Sequence, residues 1–359
     1  MGHIHAARRG KLGVLVADRG YDAVLVTRLV NVRYLTGLAS SNAALLVRAD
    51  GTALLATDAR YAGTAAKISP DLETLVERAV ALRLTGLAAE SGIGRLAYEA
   101  HDVTVERHAE LTTVSEGIEL IPFGHGVEEL RKVKDEDEIA TLARACAITD
   151  QAFADVLSSI KVGVTEREIA IALERRMVDL GADKPAFDSI VASGPNGAIP
   201  HHEPGGRQFE TGDLVTMDFG ALYGGYHADM TRTVAVGHVA HWQKEVYDLV
   251  QAAQQAGIDA AVPGADTKDV DAAARDLIVA AGHGDDFPHG LGHGVGLEIH
   301  EAPLLGYDKT GRLVDRVPIT AEPGVYLAGR GGVRIEDTLV VRTAGPEILT
   351  KTTKELLVV

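Results

Sequence analysis

Val215-Thr216-Met217-Asp218-Phe219-Gly220, followed after Tyr223-Gly224-Gly225 by His227-Ala228-Asp229-Met230-Thr231-Arg232-Thr233, decides the fold of the larger part of this chain. Two runs of strand-forming residues around a glycine pair make an antiparallel hairpin, in which Asp218 and Asp229 come nearly opposite one another and point to one face. The pattern returns downstream. Ala321-Glu322-Pro323-Gly324-Val325-Tyr326 and Gly332-Val333-Arg334-Ile335-Glu336-Asp337-Thr338 lie either side of the turn at Gly329-Arg330-Gly331-Gly332, which sets Glu322 against Glu336. Between the hairpins runs His289-Gly290-Leu291-Gly292-His293-Gly294-Val295-Gly296. Two hairpins thus deliver four acids to one place.

Four carboxylates held together out of water raise one another's pKa until protons neutralise them. A pair of divalent cations removes the conflict. Carboxylate oxygens with one imidazole suit Mn²⁺, Co²⁺, Fe²⁺ or Zn²⁺, and carboxylates bridging two metals roughly 3.5–4 Å apart form a clamp used for hydrolysis. Polar hairpin faces with turn glycines would account for any one acid, but not for four in matched hairpins together with a histidine run.

Composition bounds what surrounds this centre. A chain of 359 residues has room for two domains, each with its own core. Its 46% hydrophobic and 24% charged residues fit a globular protein rather than a disordered or fibrous one. A formal charge of −16 argues against nucleic acid or an anionic membrane as partner. Cys146, the single cysteine, excludes an intrachain disulfide and fits a reducing compartment; it falls in the apolar-periodic run Ile139 to Val156, where a helix-core residue is expected. The first residues offer only Val14-Leu15-Val16-Ala17 as an apolar core, and no run approaches the ~18 apolar residues of a membrane span. A cytoplasmic protein is expected.

In chain order, residues 1 to about 20 read as a helix ended by Gly20, followed by a buried strand at Ala23 to Val26. Two alternating runs, Ala43 to Val47 and Ala53 to Ala56, are joined by the hairpin signal Asp50-Gly51. A strand at Arg95 to Tyr98 and a helix near Val105 to Thr112 complete an α/β domain closing near residue 126, without a cluster of metal ligands. Its expected work is to wall the active site or to dimerise. Beyond the boundary, Asp135 with Glu138 and Thr165 with Glu168 form capping boxes that open two helices, the second ending at Gly181. A strand near Asp188 to Ala192 leads into a Pro/Gly-rich loop from Ser193 to Gly206, of the length that carries function. Helices near Trp242 to Gln255 and Thr267 to Ala281 follow the first hairpin. Helix, helix, hairpin therefore occurs twice, from 135 to 236 and from 242 to 342, which predicts two similar halves facing each other.

At these motifs, together with Gly292-His293-Gly294-Val295-Gly296-Leu297-Glu298-Ile299-His300-Glu301, the chain resembles the metal-dependent Xaa-Pro peptidases, prolidase and aminopeptidase P. Asn31 to Gly37 and Ala56 to Tyr61 resemble the creatinase-type N-terminal domain of that family. The resemblance implies domains at 1–126 and 127–359, the second an α+β pita-bread catalytic domain with pseudo-twofold halves and a curved antiparallel sheet. It implies that Asp218 binds one divalent ion, that His293 and Glu322 bind the other, and that Asp229 and Glu336 bridge them. Mn²⁺ or Co²⁺ is the expected metal, with Zn²⁺ an alternative. Glu322 would also move the proton of the attacking water, and His201 and His300 would contact the substrate and its scissile carbonyl. His289 and Arg334 would line the substrate site, while His202, His238, His241 and His283 are expected at the surface. The implied reaction is cleavage between an N-terminal residue and proline, in a homodimer. Several prolidases carry an arginine four residues beyond the position matched by His300, where it meets a dipeptide's carboxylate; Leu304 stands there in this chain. That departure favours an aminopeptidase acting on longer peptides over a strict dipeptidase, unless Arg330 or another arginine substitutes. Phe187, Tyr223, Tyr226 and Leu304 are candidates for the proline pocket. A metal-free creatinase-like hydrolase or a non-catalytic binding protein is the alternative of another class, and the presence of all five ligand residues argues against it.

Overall fold

The computed structural model describes residues 2–359, which divide into two compact units, one ending at Arg131 and the other beginning at Lys132. In the first unit, six strands form a mixed sheet in the spatial order Glu73–Val76, Ala53–Thr57, Ala43–Arg48, Ala23–Val26, Arg95–Tyr98, Glu119–Pro122. Its middle is the antiparallel hairpin read from Asp50-Gly51, where Gly51 takes φ +83° and Asp50 Oδ1 accepts the Thr52 N–H at 2.9 Å. Ala43 to Val47 is buried along its whole length rather than on one face, since helices cover this sheet. The helices Gly2–Asp18 and Val105–Thr113 match the sequence expectation closely.

The second unit repeats one order of elements. Helix Glu136–Val156 is capped by Asp135 with Glu138, and helix Glu166–Asp179 by Thr165 with Glu168; both capping boxes are complete. Such a cap stabilises a helix end by about 1 kcal/mol, enough to fix where each helix begins. Cys146 lies wholly buried on the first helix, as expected. Strands Ile190–Ser193, Leu214–Phe219 and Met230–Ala235 follow as an antiparallel ladder. Helices His241–Ala260 and Thr267–Ala280 then precede the second set of strands: Gly292–Gly294, Glu301–Leu305, Pro318–Ala321, Gly324–Leu327, Gly331–Arg334 and Asp337–Val340. Helix pair and hairpin thus recur, as the sequence predicts.

The strands run as separate ladders rather than one continuous sheet, and the breaks fall at the acids. Glu322 separates Pro318–Ala321 from Gly324–Leu327, and Glu336 separates Gly331–Arg334 from Asp337–Val340. Gly324 pairs with Arg334 and Ala321 with Asp337, so Glu322 and Glu336 face each other directly. In the other hairpin Asp218 pairs with Thr231, leaving Asp229 offset by two residues on the same face. Gly220 makes that junction possible, because a Cβ there would lie 1.7 Å from the Ala228 carbonyl oxygen. The halves are tied together by Glu336 N–H donating to Thr231 O at 3.1 Å and by Thr233 Oγ1 donating to Arg334 O at 2.9 Å.

Candidate metal centre

The two hairpins and the strand Gly292–Gly294 bring Asp218, Asp229, His293, Glu322 and Glu336 together, and four of the five are buried to at least nine-tenths. His293 Nε2 lies 3.3 Å from Glu322 Oε1 and 3.5 Å from Asp229 Oδ2. One ligand atom each from Asp229, His293 and Glu336 falls within a 4.8 Å span. The imidazole is oriented by its other nitrogen, since Nδ1 sits 3.0 Å from the Gly294 carbonyl and must donate to it. That leaves the Nε2 lone pair facing the acids. Thr320 Oγ1 donates to Glu322 Oε1 and accepts the His293 N–H, both at 3.1 Å, and Thr231 Oγ1 donates to Glu336 Oε2 at 2.7 Å.

This donor set fits divalent cations. Asp218 Oδ1, Asp229 Oδ1 and Glu336 Oε1 are buried and accept no hydrogen bond. A buried carboxylate oxygen without a partner is costly, and a hard cation is the partner that satisfies several at once. The electrostatics agree. Burial, then the charges of Glu336, Asp218 and Glu322, push the Asp229 carboxyl well above its usual range. Burial with Glu322 and Asp218 does the same to Glu336. Burial alone would raise Glu322 as well, yet its contact with His293 holds it below the usual carboxylate range, and His293 is raised in return despite its own burial.

Above the acids opens a cavity of about 410 Å³. His201, His289 and His300 all line it, as does Leu304. His300 stands edge-on to His293 at 4.4 Å between ring centroids, and burial with the neighbouring His293 lowers its pKa. His289 is fixed at both nitrogens, by Gly290 O and by the Tyr326 hydroxyl, each at 2.8 Å. Arg334 touches the cavity, but its donors are spent inside the protein: Nη2 on Asp218 Oδ2 at 2.7 Å, Nη1 on the Tyr326 hydroxyl at 2.9 Å and Pro200 O at 3.2 Å, Nε on Thr231 Oγ1 at 3.1 Å. It therefore holds Asp218 in place and is not a free substrate contact.

Four further expectations change. Tyr226 is buried with its hydroxyl 2.6 Å from Glu138 Oε1, and Tyr223 packs with the helical core, so neither reaches the cavity; Ile190, Ile299 and Tyr326 supply its apolar wall beside Phe187 and Leu304. Arg330 stacks over Trp242 instead of replacing the missing arginine, and the cavity's other cation is Lys309, whose Nζ lies 3.1 Å from Asp308. His202 is no surface residue: its Nε2 meets the buried Glu166 at 2.8 Å. Neither Lys309 nor Glu166 lies in a motif that the sequence marks, although Glu166 adjoins the capping Thr165. The first unit, expected to lack ligand clusters, does bring His101, His125 and Glu128 within 4.8 Å; there, however, Glu128 Oε1 already faces Arg28, Asn31 and His101.

The profile of metallopeptidase family M24 matches residues 140–343, and that of the creatinase/prolidase N-terminal domain matches 8–133. The chain belongs to metallopeptidase family M24. Among its relatives, an uncharacterized peptidase of Bacillus subtilis is 40% identical over 97% of this chain and 99% of its own length. The structure of an Xaa-Pro dipeptidase from Bacillus anthracis superposes with a TM-score of 0.95 at 37% identity, covering 99% of this chain and all of that one. An X-Pro aminopeptidase from Thermotoga maritima superposes at 0.90 with 35% identity, over 98% of this chain and 99% of that one. Among the described residues no helix is long and apolar enough to cross a membrane.

Proposed function

We propose that this metallopeptidase cleaves the bond between an N-terminal residue and proline, with two divalent ions, Mn²⁺ or Co²⁺ before Zn²⁺, held by Asp218, Asp229, His293, Glu322 and Glu336. The observation that carries this reading is the set of buried carboxylate oxygens without hydrogen-bond donors, those of Asp218 and Asp229 at the cavity and that of Glu336. When bound, the ions acidify water and polarise the scissile carbonyl. Asp229 and Glu336 would be the ligands common to both ions, and Arg334 holds Asp218 from behind. Glu322, the ionised partner of His293, takes up the proton of the attacking water and returns it to the departing nitrogen. That transfer matters in particular for proline, whose amide nitrogen carries no hydrogen before cleavage. His300 at the cavity rim donates to the oxygen that gains charge, and His201 contacts the substrate from the opposite loop. Phe187, Ile190, Ile299 and Leu304 give the pyrrolidine ring an apolar wall.

Lys309 supports a second, narrower reading, in which dipeptides are preferred. With Arg334 committed, its ammonium is the cation left on the cavity wall to meet the carboxylate of an X-Pro dipeptide. The deciding experiment compares an X-Pro dipeptide, an X-Pro-containing tripeptide and a matched X-Ala peptide at equal concentration with Mn²⁺. Preference for the dipeptide establishes the dipeptidase, preference for the longer peptide the aminopeptidase, and equal cleavage of X-Ala refutes proline specificity.

A further inference from the structure

The segment from Ser193, where strand Ile190–Ser193 ends, to Gly205 has little regular structure beyond a 3₁₀ turn at Gly194–Ala198, yet it supplies two residues of the cavity wall, Pro200 and His201. A stretch of that kind loses much conformational freedom when it is held in one place, and something must hold it. Glu166 sits directly beneath. It is the first residue of helix Glu166–Asp179 and is wholly buried, but it takes no part in capping, which Thr165 and Glu168 complete between themselves. Among the described residues, each hydrogen-bond partner of its carboxylate lies on that segment. Oε1 accepts the Ser193 N–H at 2.8 Å, the Ser193 hydroxyl at 2.7 Å and the Asn196 amide at 2.9 Å. Oε2 accepts the Gly205 N–H at 3.2 Å and lies 2.8 Å from His202 Nε2. The contacts therefore clamp both ends of the segment and flank His201 on either side.

From there the chain of contacts runs to the metal ligands. Pro200 O accepts Arg334 Nη1, and Arg334 Nη2 donates to Asp218. Gly197 approaches the strand Gly331–Arg334 so closely that a Cβ would lie 3.1 Å from Gly332 N. Burial pushes the Glu166 carboxyl up, but the bonds from Asn196, His202 and Ser193 outweigh it and keep the group below the usual carboxylate range, an acceptor at both oxygens.

We propose that Glu166 is a positioning residue of the active site: through Ser193, Asn196, His202 and Gly205 it fixes where His201 and the Pro200 carbonyl stand relative to the reacting bond. The assignment rests on the peptidase reading given above for what those groups act upon. Glu166→Gln keeps the volume but turns one acceptor into a donor facing other donors, so the clamp loosens without a cavity being made.

A double-mutant cycle with His201→Ala separates positioning from general destabilisation. Glu166→Gln is expected to lower kcat/KM on an X-Pro peptide by about 10- to 100-fold, but by less than about 3-fold in the His201→Ala background, because groups that act as a unit lose their effect together. Amide exchange across 193–206 should quicken while the helix 136–156 keeps its protection. Equal losses in the two backgrounds, or wild-type activity in Glu166→Gln, overturn the assignment. If Glu166→Gln does not fold, Asn196→Ala withdraws one donor and should show the same non-additivity at several-fold amplitude; an additive Asn196→Ala likewise overturns it. A wild-type protein inactive on X-Pro peptides would refute the peptidase reading alone, since the exchange difference across 193–206 is read without substrate; its absence refutes the clamp.

Discussion

Two groups of histidine and carboxylate ligand atoms, each within 4.8 Å, occur among the described residues: His101, His125 and Glu128 in the first unit, and Asp229, His293 and Glu336 in the second. Each shows an imidazole pair at similar range, His101 with His125 at 4.3 Å inside the first group and His293 of the second with the neighbouring His300 at 4.4 Å. They differ in charge balance. Glu128 Oε1 is met by Arg28 at 3.0 Å, Asn31 at 2.8 Å and His101 at 2.9 Å; burial would raise its carboxyl, but these contacts hold it below the usual range. Asp229 and Glu336 face further acids instead, and both are pushed far upward. Proximity of ligand types is thus a weak criterion for a metal centre. Uncompensated buried charge is the stronger one, because the fold that creates it must bind a cation or protons to remain stable.

The sharpest way to break this comparison is to neutralise one acid in each group. Asp229→Asn or Glu336→Gln should lower kcat/KM on X-Pro peptides by about 10³-fold or more and reduce bound metal measured by elemental analysis, because in the proposed site each would be a ligand common to both ions. Glu128→Gln should leave both unchanged. Comparable losses in the two groups would show that compensation does not distinguish them.

The imidazole pairs give the next contrast. His300→Ala should lower kcat by about 10²-fold with little change in KM, the signature of a donor to developing charge. His125→Ala should leave the kinetics alone. A His300→Ala variant changed in KM only would assign His300 to substrate binding instead.

Much of this arrangement is legible in the sequence. The four acids, the turn glycines and the doubled order of helices and hairpins follow from spacing, because strand register places residues on a face with a period of two. Glu322 facing Glu336 is read from their motifs directly. The offset of Asp229 from Asp218 is not, since it depends on a short inner hairpin, Ala221–Tyr223 with Tyr226–His227, whose start is set by the close approach at Gly220. Tyr223 and Tyr226 were reasonable wall residues by position but belong to that inner hairpin and turn to the core. Arg334 sits inside a motif and reads as a ligand contact; only the structure shows its guanidinium distributed over Asp218, Tyr326, Thr231 and Pro200. Glu166 and Lys309 reach the site over long sequence separations, which local pattern does not encode.

Metal removal tests the charge argument without catalysis. In the metal-free protein Asp229 and Glu336 have folded-state pKa values raised above their unfolded ones by burial and by neighbouring acids. Stability from such groups is fully present below the unfolded values, near 4, and is lost as pH rises through the raised ones. The melting temperature of EDTA-treated protein should therefore fall by several degrees from pH 5 to pH 8. Mn²⁺ should restore it most at the higher pH, and metal-free Glu336→Gln should melt above metal-free wild type there. A metal-free wild type as stable at pH 8 as at pH 5 would mean that the acids are compensated in a way the geometry does not show.

The smallest effect concerns the cations. Arg28 pairs with Glu128 of the first group, whereas Lys309 stands on the cavity wall with Asp308 beside it, partly exposed. An exposed ion pair contributes about 1 kcal/mol at most, so Asp308 competes weakly with a ligand carboxylate entering a less solvated cavity. Lys309→Met should therefore raise KM for an X-Pro dipeptide by roughly 3- to 10-fold, about the worth of one partly screened charge contact, and leave an X-Pro amide, which has no carboxylate, within about 2-fold of wild type. Raised ionic strength should shrink the dipeptide advantage of the wild type and do little to the variant. An equal change on dipeptide and amide would place Lys309 in the cavity as packing alone, and the preference between dipeptide and longer peptide would then have to come from the Leu304 side of the wall.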